Sequence, residues 1–385
     1  MSGPETEKAG ADVPQGDHGA AAAVSDRNGS KGPASVTVAT PPASSAPPSG
    51  MPGGADSMRD LVRRLTEIES NTVLVALIVL VVIVGVIHPA FFSLSQLTGV
   101  VQQSVYIAVL ATGMAFLIAM REIDLSIGGI FSLCMVAAAI FMKDGINPWL
   151  AGLMAVAVGG GCGLLNAVCV EFIKLPTIVA TLATMSMFFG LALAIGHGQQ
   201  IVGFSTHGSF FSVLGGNIGG ASGVPTAVPI LIGVVIVLTV VLRFTPFGYR
   251  VRSIGSNPEA AAFSGIRVSR VRMQTLVLMG LLAGFAAMLG LAFFEEGDPN
   301  MGNPFALEVI AAAIIGGTPL RGGTATVLGA AFGALLLGVV NAGLGFFNVS
   351  TNSSEFFTGA VILFAVSLDS MLRRRRRARE GGLSL

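Results

Sequence analysis

Few residues of this chain have the type and setting for chemistry. Asp124 stands in Arg121-Glu122-Ile123-Asp124-Leu125-Ser126-Ile127-Gly128, between two long apolar runs. A carboxylate there has two uses. It is a pathway charge, because an ionisable group inside a membrane is costly and generally functional, or it caps a helix that starts at Ser126 from a wet turn. The spacing leaves both open, and a broken helix dipping into a membrane would join them. Uncharged polar groups within apolar segments are Gln102, Gln103, Thr112, Asn166, Thr177, Thr181, Thr184 and Asn341. Such groups hydrogen-bond either a polar solute or a neighbouring helix. Thr177, Thr181 and Thr184 recur at i, i+4, i+7 and so share one helical face. Asp124, Ser126, Asn166, Thr177, Thr181 and Thr184 form the candidate path for a small polar solute.

The second constellation is TPFGYRVRSIGSNPEAAAFSGIRVSRVRM, a polar stretch with basic residues from Arg243 to Arg272. Asn257-Pro258 is a helix-start signal, with Asn as cap and Pro at the first helical position. Glu259-Ala260-Ala261-Ala262-Phe263 then predicts a short helix stopped by Gly265. Small side chains permit close docking and charges set register, so this helix is suited to being gripped by another protein.

Several functions are excluded by what the sequence lacks. There is no Gly-x-x-x-x-Gly-Lys-Ser/Thr phosphate loop, nucleophile elbow, paired catalytic carboxylates or metal-ligand spacing. No catalytic residue, metal or bound cofactor is therefore assigned, and the chain is not read as an enzyme. Cys134, Cys162 and Cys169 lie in apolar segments and read as unpaired thiols used as small hydrophobes.

The elements that position these groups follow from composition. Of 385 residues 52% are hydrophobic and 11% charged, where soluble proteins carry about 25% charged residues. The mean hydropathy is +0.78. A chain this apolar needs a bilayer as solvent, and each span takes about 20 apolar residues. Candidate spans fall near 71–88, 98–120, 125–142, 149–172, 176–196, 226–243, 271–294, 305–318, 324–346 and 355–371. This predicts an all-α integral membrane protein of about ten transmembrane helices, its eighth span short. With a cytoplasmic N-terminus, Lys143 is the sole one of the 22 basic residues in an outside loop. The positive-inside rule then places both termini in the cytoplasm. Residues 1–57, rich in Gly, Ala, Ser and Pro, read as a disordered cytoplasmic tail. Residues 58–372 form the transmembrane domain, with 243–272 as its long cytoplasmic loop. The basic tail 373–385, with Arg373 to Arg377, anchors the last span rather than binding nucleic acid.

Three motifs carry a family resemblance. Gly255-Ser256-Asn257-Pro258-Glu259-Ala260-Ala261, followed by Ser264-Gly265-Ile266, resembles the EAA-type coupling segment of ABC importer permeases. It is closest to the branch of ribose, xylose and galactose permeases, and the Ile-x-Leu-Pro ending of the wider motif is absent. Glu122-Ile123-Asp124-Leu125-Ser126-Ile127-Gly128 is similar to that branch's Gly-Ile-Asp-Leu-Ser-Val-Gly, with Glu122 in place of Gly. Leu175-Pro176-Thr177-Ile178-Val179-Ala180-Thr181-Leu182 resembles its Pro-x-Phe-Ile-Ala-Thr-Leu run. The three occur in the family's order and cover most of residues 70–372.

The resemblance implies a multi-pass permease subunit of the bacterial cytoplasmic membrane that imports a monosaccharide by alternating access. Its partners would be an ABC ATPase that binds the ATP, an extracellular solute-binding protein and a second permease copy. Gly255, Asn257, Pro258, Glu259, Ala260, Ala261 and Gly265 would dock the ATPase. The alternatives are an ion-coupled secondary transporter, for which embedded carboxylates are scarce, or an importer of a nucleoside or other small polar solute.

Overall fold

The computed structural model describes residues 68–347 apart from 221–222, and side chains from residue 72 on, together with scattered single residues beyond 347. The expected tenth span, 355–371, and both tails lie outside these described residues.

Long apolar runs fold as helices because in a bilayer every backbone polar group must be satisfied within the segment. In chain order the helices are α1 (Ile68–Ile87), α2 (Leu94–Ala119), α3 (Ile127–Lys143), α4 (Pro148–Glu171), α5 (Thr177–Ile195) and a short α6 (Ser209–Leu214). They continue with α7 (Ala227–Phe244), α8 (Pro246–Ser256), α9 (Pro258–Phe263), α10 (Val268–Phe294), α11 (Phe305–Ile315) and α12 (Val327–Phe346). Among the described residues α2, α4, α5, α7, α10 and α12 are long and apolar enough to cross a membrane. The expected spans from 71–88 through 324–346 each coincide with a helix, but two of them fall short. α3 has 17 residues and α11 only 11. At 1.5 Å per residue these run about 25 and 16 Å, less than a hydrocarbon core of about 30 Å.

Close approach of backbones sets the packing. α4 runs antiparallel to α10, and a Cβ added at Gly159 would collide with the Gly280 carbonyl, one at Gly163 with that of Leu276. Glycine at these positions lets the two helices touch along their backbones, the small-residue mode of membrane helix association. α2 is the central helix, buried at every residue from Ser104 to Ala119. α5 and α7 instead turn Ile178, Val179, Leu182, Ile232, Ile236 and Val240 outward. That apolar exterior suits a lipid surface.

Two long connections carry more structure than the sequence suggested. Between α5 and α7 lie α6 and a small hairpin, β1 (Asn217–Ile218) paired antiparallel with β2 (Val224–Pro225). The 243–272 stretch holds α8 as well as the expected short helix, which is α9. Thr245 starts α8 by accepting the Gly248 N–H at 3.3 Å.

Candidate functional site: a broken helix joined to a docking helix

After α2 the chain does not leave the bundle. It turns at Arg121, which is left-handed with φ 65°, and continues as a non-helical segment over residues 122–126 before α3 begins. Glu122 faces the last residue of α4, whereas Asp124 and Ser126 reach Asn166, five residues deeper on that helix. The segment therefore climbs about 7 Å into the bundle.

Backbone that leaves the helical path inside a membrane protein must find other partners. Here side chains supply them. Asp124 Oδ1 accepts the Ser126 N–H at 2.8 Å and the Ser126 hydroxyl at 2.6 Å. Asn166 Nδ2 donates to Ser126 Oγ at 2.7 Å and to Asp124 Oδ2 at 3.4 Å. Thr184 Oγ1 donates to Asn166 Oδ1 at 2.6 Å. The Leu125 N–H donates to Thr181 Oγ1 at 3.1 Å, and that hydroxyl donates to the Thr177 carbonyl at 2.9 Å. All six residues singled out as a solute path thus converge, and all six are buried. Thr177 takes part through its carbonyl alone, and together with the Leu125 N–H these bonds form a network at the start of α3. Among the described residues no buried side-chain polar atom is left without a partner. The two uses foreseen for Asp124 meet in one geometry: it binds the backbone at the head of α3, and it does so from inside the bundle.

A second break mirrors the first. After α10, residues 297–302 run back along α3. Gly297 lies against Ala139, and the Gly302 N–H donates to Ser132 Oγ at 2.9 Å. A Cβ at Gly128 would strike the Gly302 carbonyl, and one at Gly302 would strike that of Gly128. α11 starts three residues later, so the N-terminal ends of both short helices lie inside the bundle around this contact. Discontinuous helices of this kind are a recurrent feature of transport proteins. Glu308 sits in the first turn of α11.

Other polar candidates serve packing. Gln102 Nε2 donates to the Gly215 carbonyl at 2.7 Å, and Thr112 Oγ1 bonds its own helix at Val109.

The docking segment has the local form that its sequence dictates. Asn257 Oδ1 accepts the Ala260 N–H at 3.0 Å, Pro258 occupies the first turn of α9, and Gly265 adopts φ 82° past its end. Ala261 alone is buried, while Glu259, Ala260, Ala262 and Phe263 are exposed. Phe263 is 93% exposed, a large apolar ring at the tip of a two-turn helix. Gly255 lies against the Ala119 carbonyl, which also accepts the Gly323 N–H at 2.9 Å. The segment before α9 is thereby seated on the end of α2.

An ion cluster that no sequence motif announced lies beside this segment. Arg272 Nε donates to Glu122 Oε1 and Nη1 to Glu171 Oε1, both at 2.7 Å. Arg121 Nε donates to the Gly255 carbonyl at 2.7 Å and Nη2 to that of Ser256 at 2.9 Å. These residues are separated by 101 to 150 positions, so no local pattern could have joined them. Among the described residues no group of His, Cys, Asp and Glu is arranged to hold a metal ion.

Long apolar helices, two breaks in mid-bundle and an exposed two-turn helix describe a polytopic membrane protein. Comparison with known proteins places it more narrowly. Residues 96–366 match the family described as branched-chain amino acid transport system, permease component, and the chain belongs to that family. It is 34% identical over 293 residues to the ribose import permease protein of Bacillus subtilis, covering 76% of this chain and 90% of that one. The Escherichia coli K12 ribose import permease protein is 33% identical over 298 residues, covering 77% and 92%. The galactose/methyl galactoside import permease protein of Escherichia coli K12 is 31% identical over 334 residues, covering 81% and 97%. The chain is a multi-pass membrane permease component of ABC transport, and membership of this family sites it in the bacterial inner membrane.

Proposed function

We propose that this chain forms the membrane pathway of an ATP-driven importer for a monosaccharide. The observation that carries this is α9: a capped, two-turn helix that presents Glu259, Ala260, Ala262 and Phe263 outward, seated by Gly255 on the end of the central helix. Small residues around one large ring suit insertion into a groove of a partner. The partner is an ABC ATPase, which supplies the ATP hydrolysis for which this chain has no phosphate loop. Relatives named for ribose and galactose import support the sugar class.

In this proposal both termini are cytoplasmic, ten helices cross the membrane, and α8 and α9 face the cytoplasm, as the one-sided Lys and Arg distribution requires. An extracellular binding protein delivers the sugar to the opposite face, and a second permease copy completes the pore. ATP-driven closure of the ATPase moves α9, and the discontinuous helices α3 and α11 shift about the Gly128–Gly302 contact. Asp124, Ser126, Asn166, Thr177, Thr181 and Thr184 serve as path residues in this scheme. They become available to sugar hydroxyls when α3 shifts and the network opens.

The test is reconstitution of the purified chain with its ATPase and binding protein in liposomes, comparing wild type with Glu259→Arg plus Gly265→Trp. Sugar uptake that needs ATP and binding protein, with ATPase binding lost in the altered chain, is the expected result. Uptake that proceeds without ATP, or that is driven by an ion gradient, would overturn the proposal.

A further inference from the structure

We propose that Arg121 and Glu122 act as a clamp that transmits motion of the docking helix to the broken helix α3. The inference rests on the proposed role of α9, and it names residues that the docking motif does not contain.

The elements flanking α9 are held by two consecutive residues. On the entering side, Arg121 grips the carbonyls of Gly255 and Ser256 at the end of α8, two and one residues before Asn257. On the leaving side, Arg272 in the second turn of α10 pairs with Glu122, nine residues beyond Phe263. Both contacts converge on a single peptide unit. That unit starts the re-entrant segment whose Asp124, two residues on, is locked to Ser126 and Asn166 at the head of α3. Any displacement of α9 relative to α2 pulls on Arg121 from one side and on Glu122 from the other. Only three residues separate Glu122 from Ser126, and Asp124 among them is bonded to Ser126 and Asn166, so the pull reaches the α3 N-terminus and its contact with Gly302.

The two arms differ in kind, which makes them separable. Arg121 binds backbone carbonyls with two directed N–H bonds, so its geometry depends on the planar guanidinium and a lysine reproduces it poorly. Glu122 binds through charge, and Arg272 also holds Glu171, whose side chain is 5% exposed. Loss of Glu122 therefore leaves Arg272 anchored to α4 while cutting its link to the re-entrant segment.

The experiment uses the full transporter with ATPase and binding protein in nanodiscs for ATP turnover and in liposomes for uptake. The variants are Arg121→Ala, Arg121→Lys, Glu122→Gln and Arg121→Ala plus Glu122→Gln. The readouts are ATPase binding, sugar taken up per ATP hydrolysed, and hydrogen exchange of peptides covering 120–128 and 258–266. Wild-type exchange at 120–128 is expected to change when ATP is added. The double variant should bind ATPase and hydrolyse ATP at the wild-type rate, yet take up at least tenfold less sugar per ATP. Its 258–266 peptide should still respond to ATP while 120–128 no longer does. Arg121→Lys should recover only part of the loss.

An uptake-to-ATP ratio within twofold of wild type in the double variant would overturn the clamp while leaving the importer intact. Failure of the wild-type chain to bind an ATPase would instead overturn the docking role of α9. Loss of ATPase binding in the double variant, with unchanged exchange across the transmembrane peptides, would overturn the clamp by making the two residues part of the docking surface.

Discussion

Gly159, Gly160, Gly161 and Gly163 are nearly contiguous in α4, yet their surroundings differ, and Gly161 faces open space. A Cβ at Gly163 would overlap the Leu276 carbonyl and lie 3.0 Å from the Val277 Cα. Both atoms are backbone of α10, so no side chain can swing aside. A Cβ at Gly161 meets nothing within 4 Å. Alanine at either position gains about 1 kcal/mol of helix propensity over glycine. At Gly163 that gain is opposed by overpacking, about 1–3 kcal/mol for an inserted methyl in a well-packed core. Restoring ordinary contact requires the helices to part by roughly 1 Å, which weakens the close seam that continues beside it, Gly159 against Gly280 and Gly284 against Val156. Gly161→Ala is therefore expected to raise stability by up to about 1 kcal/mol. Gly163→Ala should lower it by about 1–2 kcal/mol, and valine by more. Thermal unfolding of the detergent-purified chain, followed by fluorescence size-exclusion chromatography, reads the order directly. Equal shifts of the same sign for Gly161→Ala and Gly163→Ala would refute the α4–α10 backbone contact.

Three further outcomes are expected. Asn166→Leu removes the donor to Asp124 and Ser126 and the acceptor for Thr184, and should destabilise by about 2–5 kcal/mol by stranding buried polar groups. Pairing it with Thr184→Val in a double-mutant cycle should show coupling above about 0.5 kcal/mol, and simple additivity would argue against the network. Phe263→Ala should leave thermal stability unchanged, because the ring is exposed, while weakening ATPase binding by about 2 kcal/mol or roughly 30-fold if it is an interface anchor. Asn257→Ala loses the cap on α9, worth about 0.5–2 kcal/mol, and should lower ATPase affinity in the same assay without altering exchange in the transmembrane helices.

Much of this molecule was legible along the chain because its signals are local. Asn257-Pro258 and Gly265 bracket α9 wherever the segment is placed, since a cap and a left-handed stop act within one turn. The threonines at 177, 181 and 184 had to share a face once α5 was helical. Uninterrupted apolar runs announced α2, α4, α5, α7, α10 and α12, because in lipid such runs have few alternatives to helix. The short helices were harder. The 305–318 run was visibly brief, but whether brevity meant a tilted span or a half-helix depended on Gly302 meeting Gly128, 174 residues earlier in the chain.

By itself the sequence determined the membrane class, the order of the helices, the docking segment and the polar residue types available to the bundle. These rest on composition, on periodicity and on hydrogen bonds that close within a few residues. Only the tertiary structure decided that Asp124, Ser126, Asn166 and Thr184 bond one another, and that Arg121 and Glu122 reach α8 and α10 on either side of α9. Those contacts join residues that are far apart in sequence. Their partners are chosen by which helix faces come together as the backbones pack, and no pattern along one segment encodes that choice.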